Sequence, residues 1–429
     1  MKIFAFILLL LYSTLSITEN IDEIIPPSKN LGKETQSGKI HKTTTVATEN
    51  RDSIKIHFFI QPEHERHIER LKKICSLTLK FLSKNIGKYP YSDLSVVDIP
   101  KNIQTAESLN ANAIVFDADY FLAKQSYEFE ISIASKIASI YFGNIVKNIS
   151  SDDAWLNYGL SRYIAHKVVE KNYPLQMNTF HLAGYLPIYG ITFLSYNEIP
   201  IIYTLRYFDV PLESSSLKKY YENINSVPIA GNNSDALNKE ELEVKNVHKP
   251  YLFMLSLDRY SGENNTLGII SEYYKQSLVS PVGKDGFIDI LLKTTPTKYE
   301  FNRYALSALN TADKFDYAVD SLTAIGDNEF QIIASRKEAG VFPVEIFAYT
   351  EKDTLKFRWD GKSVHKKIIF QSNEKVIAAE LDPRHKNIFD LNYANNSFML
   401  EPDYTTSVSV AIRWFFWIQN AIIIIGSVG

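Results

Sequence analysis

The sequence predicts an α+β protein in which a mixed sheet with helices is followed by a β-sandwich and a C-terminal transmembrane helix. Three observations predict this order. Strand-like runs alternate with helix-like periodicity up to about residue 320. Short alternating runs separated by turn residues begin at Glu329. The chain then ends in an apolar stretch over 408–429.

Composition limits the classes of protein to consider. The chain has 429 residues, of which 45% are hydrophobic, and this is enough for about two or three domains with a sizeable core. Its 46 basic and 49 acidic residues give a net charge of −3, so there is no strong basic field and we expect no nucleic-acid partner. The only cysteine, Cys75, excludes an intrachain disulfide and a zinc site built from cysteines.

Residues 1–16 have the pattern of a signal peptide for export. One basic residue precedes a short apolar run from Ile3 to Leu11, and small residues follow it. The run is too short to span a bilayer comfortably, and a retained anchor is the alternative. Residues 17–50 are polar and contain two consecutive prolines, which predicts a linker.

Residues 51–324 are expected to form one domain of strands and helices. Proline is tolerated in the first turn of a helix and glycine favours its end, so a helix is predicted from Pro62 to Gly87. The other patterns predict strands at 54–60, 94–99 and 113–116, helices at 127–142 and 154–169, and a mainly helical stretch at 175–320. The helix at 127–142 is predicted to point Ile131, Ala134, Ile137, Ala138 and Tyr141 inward.

Residues 325–402 are expected to form the β-sandwich. Apolar and polar residues alternate there in short runs, as in strands with one buried face. The runs lie at 330–334, 344–348, 354–357, 367–370 and 376–379.

The C-terminal stretch over 408–429 is long enough for one membrane crossing as a helix. Trp414 and Trp417 suit a membrane interface, whereas Arg413 is costly inside hydrocarbon. The alternative is a terminal helix buried against a folded domain. With the signal peptide, this stretch predicts an exported protein, anchored in a membrane with its folded domains on the extracytoplasmic side, and another membrane protein as a possible neighbour of the helix.

Two adjacent segments carry a resemblance to a known family. Residues 134–144 read ASKIASIYFGN and residues 154–163 read AWLNYGLSRY, with eighteen residues between Ser139 and Tyr158. The pair resembles the zinc helix and the following helix of gluzincin metallopeptidases of the membrane alanyl aminopeptidase type. In that family, H-E-x-x-H is followed closely by W-F-G-N, and W-L-N-E-G lies on the second helix at the same spacing. The resemblance covers roughly 55–320 and implies a thermolysin-like catalytic domain.

The residues that would bind and use zinc differ at each position. Ser135 and Ser139 stand where the family has its two histidine ligands, and Tyr158 stands at the glutamate ligand. A serine hydroxyl is a poor zinc ligand compared with imidazole. Lys136 replaces the general base with a cation, which a nearby dication would repel. We therefore expect no zinc and no other cofactor.

Two further positions that the resemblance assigns to substrate binding are also altered. The family's G-x-M-E-N loop, which holds the substrate amine through its glutamate, aligns so that Leu109 takes the glutamate position, with Glu107 as a weak substitute. Val247 takes the place of the tyrosine in Y-x-K-G that stabilises the oxyanion, and valine has no hydrogen to donate.

The resulting hypothesis is an exported pseudopeptidase, tethered to a membrane, whose former substrate groove binds a peptide or protein. The alternative is a working membrane-associated metallopeptidase or aminopeptidase with a rebuilt site, or a hydrolase with another nucleophile. Three remaining features have simpler interpretations. The charged run from His64 to His67 is predicted to be a solvated helix face, while His166 and Cys75 are predicted to be satisfied or buried packing residues.

Overall fold

A computed structural model describes residues 38–48, 53–99, 112–116, 127–145, 151–173, 212–223, 228–231, 237–294 and 298–401, with isolated positions between 404 and 422. The expected signal peptide at 1–16 lies outside the described residues. Eleven strands and nine α-helices are labelled here in chain order.

The first sheet has four strands in the order β1-β2-β3-β4. They are β1 (Ile40–Ala47), β2 (Ser53–Ile60), β3 (Asp93–Asp98) and β4 (Ala113–Phe116). Strand β1 is antiparallel to β2, whereas β2, β3 and β4 are parallel. Alternate residues of β2 are buried, so the alternating pattern in the sequence corresponds to one core-facing side. Strand β1 lies inside the segment that was expected to be a linker.

Nine α-helices lie among the described residues between 68 and 310. They are α1 (Ile68–Asn85), α2 (Glu128–Ser139), α3 (Ala154–Asn172), α4 (Ser214–Glu222), α5 (Lys239–Glu243), α6 (Lys249–Ser261), α7 (Glu263–Val279), α8 (Lys284–Thr294) and α9 (Lys298–Asn310). Two π-helical turns interrupt the series, at Ile140–Ile145 after α2 and at Val244–His248 before α6.

The segment before α1 differs from the predicted solvated helix face. Residues Pro62–His67 form a 3-10 turn, and α1 begins only at Ile68. His64 Nδ1 hydrogen-bonds to Asp98 Oδ2 at 2.7 Å, and Asp98, at the end of β3, is fully buried. Gln61 also donates to this carboxylate through its backbone and its side-chain amide. His64 therefore holds the turn against the sheet.

Residues from 317 onward form two further sheets. One contains β11-β10-β7-β8 and the other β5-β6-β9. The strands are β5 (Tyr317–Gly326), β6 (Glu329–Arg336), β7 (Val344–Thr350), β8 (Thr354–Trp359), β9 (His365–Gln371), β10 (Val376–Leu381) and β11 (Ser397–Met399). Strand β5 begins in the stretch predicted to be helical and continues past residue 324, the expected domain boundary.

The fold class predicted from the sequence needs one correction. Within the part of the chain that the structure describes, no helix combines the length and the apolar character that crossing a membrane requires. The transmembrane helix expected over 408–429 is therefore wrong. Exposed helical residues such as Phe415 and Ile422 do occur there. High apolar content alone does not provide the continuous apolar helix of about 20 residues that a crossing needs.

Candidate functional site

Helices α2 and α3 pack against each other in opposite directions. At one end, Arg162 Nη2 of α3 lies 3.5 Å from Glu128 Oε2 of α2. At the other end, a Cβ built on Gly143 would lie 2.6 Å from Asn157 Nδ2, so the backbone approaches α3 closely there. These two contacts show that α2 and α3 run antiparallel. Ser135, Ser139 and Tyr158, to which the resemblance had assigned ligand positions, lie on these two neighbouring helices.

The two sides of this helix pair differ in burial. The residues predicted to point inward from the helix at 127–142 are all buried in α2 and the turn after it: Ile131, Ala134, Ile137, Ala138 and Tyr141. Trp155 and Tyr163 of α3 are also fully buried, and the Trp155 ring meets Phe287 of α8 edge to face. By contrast, Ser135, Lys136, Ser139 and Tyr158 are each partly exposed. We call these four residues the α2–α3 face.

The groups on the α2–α3 face are a poor match for a metal. Ser139 Oγ donates to the carbonyl oxygen of Lys136 at 2.8 Å, so this hydroxyl is engaged with its own helix. Lys136 contributes an ammonium and Tyr158 a phenol, neither of which is a preferred zinc ligand. Among the residues that the structure describes, no group of three or more His, Cys, Asp or Glu side chains could hold a metal ion.

A buried ion pair between Arg70 and Glu130 joins α1 to α2. Arg70 of α1 donates to both oxygens of Glu130, with Nε to Oε1 at 2.5 Å and Nη2 to Oε2 at 2.7 Å. The guanidinium carbon also lies 4.6 Å from the centre of the Phe129 ring. Such a two-point contact between a buried carboxylate and arginine is structural, and it joins α1 to α2. Both carboxylate oxygens of Glu130 are therefore occupied by hydrogen bonds from Arg70.

The π-helical turn before α6 carries Val247 beside several buried polar residues. Val247 is half-buried, and it is followed by His248 and Lys249, which are both buried. His248 Nδ1 lies 2.9 Å from Ser216 Oγ of α4, and its Nε2 lies 3.1 Å from Glu243 Oε1. Burial lowers the pKa of Lys249 to about 8. The sequence gave no sign of this serine–histidine–glutamate array, because Ser216 lies 32 residues from His248.

The turn is held against α3 by a close backbone contact. A Cβ built on Gly159 would lie 2.3 Å from Pro250 Cβ, so only glycine fits between α3 and the start of α6. This packing places the turn that carries Val247 against α3. The position that the resemblance gives to the oxyanion donor thus holds an aliphatic side chain on a turn beside that helix.

The other predicted residues have simpler environments. His166 Nδ1 hydrogen-bonds to Tyr251 Oη at 2.8 Å in the core, which agrees with a satisfied buried histidine. Cys75 is fully buried, and burial raises the pKa of its thiol well above the usual value. Leu109 and Glu107 lie outside the described residues.

The fold is similar to that of a known aminopeptidase. The structure of Legionella pneumophila aminopeptidase A in complex with aspartic acid matches with a TM-score of 0.56 and 10% sequence identity, over 80% of this chain and 37% of that chain. Neither the protein-family models nor the curated protein sequences give a match. At this identity the likeness concerns the fold alone. The chain has an aminopeptidase-like fold and spans well under half the length of that enzyme.

Proposed function

We propose that this protein is a pseudopeptidase of the gluzincin aminopeptidase type, which binds a peptide or protein at the α2–α3 face without zinc chemistry. The observation that supports the proposal is the substitution pattern on two antiparallel helices of an aminopeptidase-like fold. Ser135, Ser139 and Tyr158 stand at the positions that the resemblance gives to the zinc ligands, and they offer two hydroxyls and a phenol. Zinc hydrolysis needs a metal-bound water and a base beside it, and Lys136 supplies a cation at the base position.

Retained packing with partly exposed polar groups favours a binding surface. A peptide offers backbone donors and acceptors that serine and tyrosine hydroxyls can bond in either sense. Tyrosine adds a large contact area at low entropic cost, because it has few rotatable bonds. Export of the protein is a further part of the proposal, supported only by the pattern of residues 1–16.

The experiment is a paired measurement on the purified full chain. Metal analysis is expected to find no stoichiometric zinc, and aminoacyl-amide substrates are expected to remain uncleaved with added zinc. In parallel, a library of labelled peptides is tested for binding by fluorescence anisotropy. Tyr158→Ala is expected to weaken the selected peptide about tenfold or more, in line with losing a central aromatic contact. Thr354→Ala, far away on β8, serves as the control. One tightly bound zinc per chain, or peptide binding unaffected by Tyr158→Ala, would contradict the proposal.

A second candidate function has one observation in its favour. Ser216, His248 and Glu243 are hydrogen-bonded in the order nucleophile, base and acid that serine hydrolases use. However, Ser216 is 0% exposed, so its hydroxyl cannot reach an acyl group in this conformation. A fluorophosphonate probe separates the two candidates. Labelling that is lost in both Ser216→Ala and His248→Gln would favour the hydrolase, whereas the pseudopeptidase remains unlabelled.

A further inference from the structure

The sequence contains N-x-S/T patterns, which are the acceptor pattern for N-linked glycans, and the fold treats two of them differently. The patterns begin at Asn148, Asn232, Asn264 and Asn395. The first two lie outside the described residues. Asn264 and Asn395 lie within the described residues, and their surroundings show which of the two has room for a sugar.

Asn264 has an open position in the first turn of α7. That helix begins at Glu263, and Gly262 before it has a φ of 89°, so the chain turns sharply there. The Asn264 side chain is exposed, and no hydrogen bond from the described residues holds it. Two residues later, the Thr266 hydroxyl is buried and donates to Gly262 O at 3.3 Å. The side chain that would carry the sugar is therefore accessible in the folded protein, whereas the threonine is part of the helix.

Asn395 is enclosed at both atoms of its amide group. Its Nδ2 donates to Asp316 Oδ1 at 2.9 Å, and its Oδ1 is buried. The next residue, Asn396, is only 4% exposed and donates to Asp390. A sugar on Asn395 Nδ2 would replace one of its two hydrogens and would need space beside the Asp316 carboxylate. The fold therefore disfavours a glycan at Asn395 and accommodates one at Asn264.

We propose that Asn264 is a site of N-linked glycosylation and that Asn395 is not. This rests on the export that forms part of the proposed function, because the modification takes place in a secretory pathway. The co-reactant is an oligosaccharide linked to a lipid diphosphate. Asn264 Nδ2 forms a bond to C1 of the first sugar, the bond from C1 to the diphosphate oxygen breaks, and the lipid diphosphate leaves. The proton that the amide loses passes to a base of the transferase.

The order of events explains why the buried Thr266 is no obstacle. The transferase acts on the chain as it enters the secretory compartment, before α7 packs and buries this hydroxyl. The fold then decides only which glycosylated products are compatible with the native structure. Asn264 meets that condition because its side chain remains at the surface.

The attachment point is remote from the α2–α3 face. Glu263, next to Asn264, pairs with Lys171 near the end of α3, and its Oε2 lies 3.6 Å from Lys167 Nζ. From Tyr158 to Lys171 the helix rises about 20 Å, at about 1.5 Å per residue. The first sugar is therefore attached beside the far end of α3, and the proposed peptide-binding face stays open.

Glycopeptide analysis of the full chain from cultured eukaryotic cells tests this proposal. The chain is produced with its own N-terminus and, separately, behind a heterologous signal peptide that carries it into the pathway whatever residues 1–16 do. The fraction that resists limited proteolysis is collected as folded protein. Peptide-N-glycosidase in heavy-oxygen water then converts each glycosylated asparagine to a labelled aspartate, which mass spectrometry locates. Label is expected at Asn264 in most chains and is expected to be absent from Asn395.

Three variants assign the modification to its site. Asn264→Gln is expected to lose one glycan relative to the wild type. Thr266→Ser keeps the hydroxyl that the transferase requires, and it is expected to keep the glycan. Ser397→Ala removes the acceptor pattern at Asn395 without changing that asparagine, because Ser397 is an exposed residue of β11. This variant is expected to carry as many glycans as the wild type.

The outcomes separate the glycosylation site from the proposed export. Label at Asn264 behind the heterologous signal peptide, but not with the chain's own N-terminus, supports the site and contradicts export through residues 1–16. An unlabelled Asn264 behind the heterologous signal peptide overturns the proposal. Label at Asn395 in the folded fraction also overturns it, because the fold then does not select between the two positions.

Discussion

The α2–α3 face and a cluster in the β-sheet region differ in the chemistry that each assembles. The face presents two serine hydroxyls, a tyrosine phenol and a lysine ammonium, all partly exposed, on two packed helices. The cluster, which we call the Asp390 cluster, consists of Asp316, Asp390, Asn395 and Asn396, and each carboxylate accepts a hydrogen bond from one asparagine amide. The difference shows that the α2–α3 face keeps its polar groups partly exposed on the helices, whereas the Asp390 carboxylate is buried and paired.

The largest expected effect tests whether zinc ligands introduced on α2 and α3 are enough for the protein to bind the metal. The combination Ser135→His, Lys136→Glu, Ser139→His and Tyr158→Glu introduces the zinc ligand set and base that the resemblance assigns to these positions. Residues 135 and 139 lie one helical turn apart on α2, and residue 158 lies on the neighbouring α3. We expect the variant to bind one zinc with an apparent free energy of up to about 10 kcal/mol, measured by titration with a chromophoric chelator.

Peptidase activity is expected to remain weak in that variant, because Val247 still cannot donate to an oxyanion. The wild-type chain is the control for zinc binding. A folded quadruple variant that binds no zinc would show that α2 and α3 do not bring positions 135, 139 and 158 close enough to share a metal ion.

The next effect compares the two sides of the helix pair. Trp155 is fully buried against Phe287, so Trp155→Ala is expected to lower the free energy of unfolding by about 3–5 kcal/mol. Ser135→Ala, on the partly exposed face, is expected to change it by less than about 0.5 kcal/mol. Urea denaturation followed by circular dichroism measures both. Equal losses in the two variants would mean that the face is part of the core.

The Asp390 cluster is expected to make stability depend on pH. The folded-state pKa of Asp390, about 7, lies above the ordinary value of 3.8, so the folded protein holds this proton more tightly. The stabilisation that the tightly held proton of Asp390 gives to the folded state is complete below about pH 4. It is lost as the pH rises through 7, and the free energy of unfolding falls by at most about 1.4 kcal/mol per pH unit. Asp390→Asn is expected to flatten this decline in thermal melts between pH 4 and 7. An unchanged slope would show that Asp390 does not titrate in this window.

The smallest effect tests the close contact that positions the Val247 turn. Gly159→Ala adds a Cβ into the space that Pro250 occupies, and overpacking of this kind costs about 1–3 kcal/mol. Gly268→Ala in α7 is the matched control, because nothing lies within 4 Å of a Cβ built there. That control is expected to stabilise the protein by about 0.5–1 kcal/mol, the usual gain of alanine over glycine in a helix. Opposite signs in thermal melts would confirm the contact.

Periodicity in the sequence predicted the elements whose burial is one-sided. The strand patterns at 54–60, 94–99 and 113–116 match β2, β3 and β4 to within one residue. The inward residues of α2 were also predicted correctly, because a helix packed on one side repeats every three to four residues. The predicted helices at 127–142 and 154–169 also correspond to α2 with its π-helical turn and to α3.

Features that depend on distant partners could not be predicted in this way. His64 was interpreted as solvated because its neighbours in sequence are charged, but its partner Asp98 lies 34 residues away. The sequence did not predict the start of strand β5, because its residues after Val319 are mostly exposed and the strand follows a helical stretch. The array of Ser216, Glu243 and His248 and the four residues of the Asp390 cluster form only when separate segments meet. The apolar end of the chain misled the prediction because a stretch of sufficient length and apolar content does not by itself form a continuous spanning helix.

Strand β1 sets a limit on how far the chain can be shortened from its N-terminus. It is the outer strand that pairs with β2, and its exposed residues are mostly polar, including Lys42, Thr43 and Thr45. Cleavage before Ile40 leaves this pairing complete. Cleavage after Ala47 would remove it and leave the unpaired backbone of β2 as the edge of the sheet. Because β2 is rich in isoleucine and phenylalanine, that edge would be prone to pair with other chains, so β1 protects the protein against aggregation.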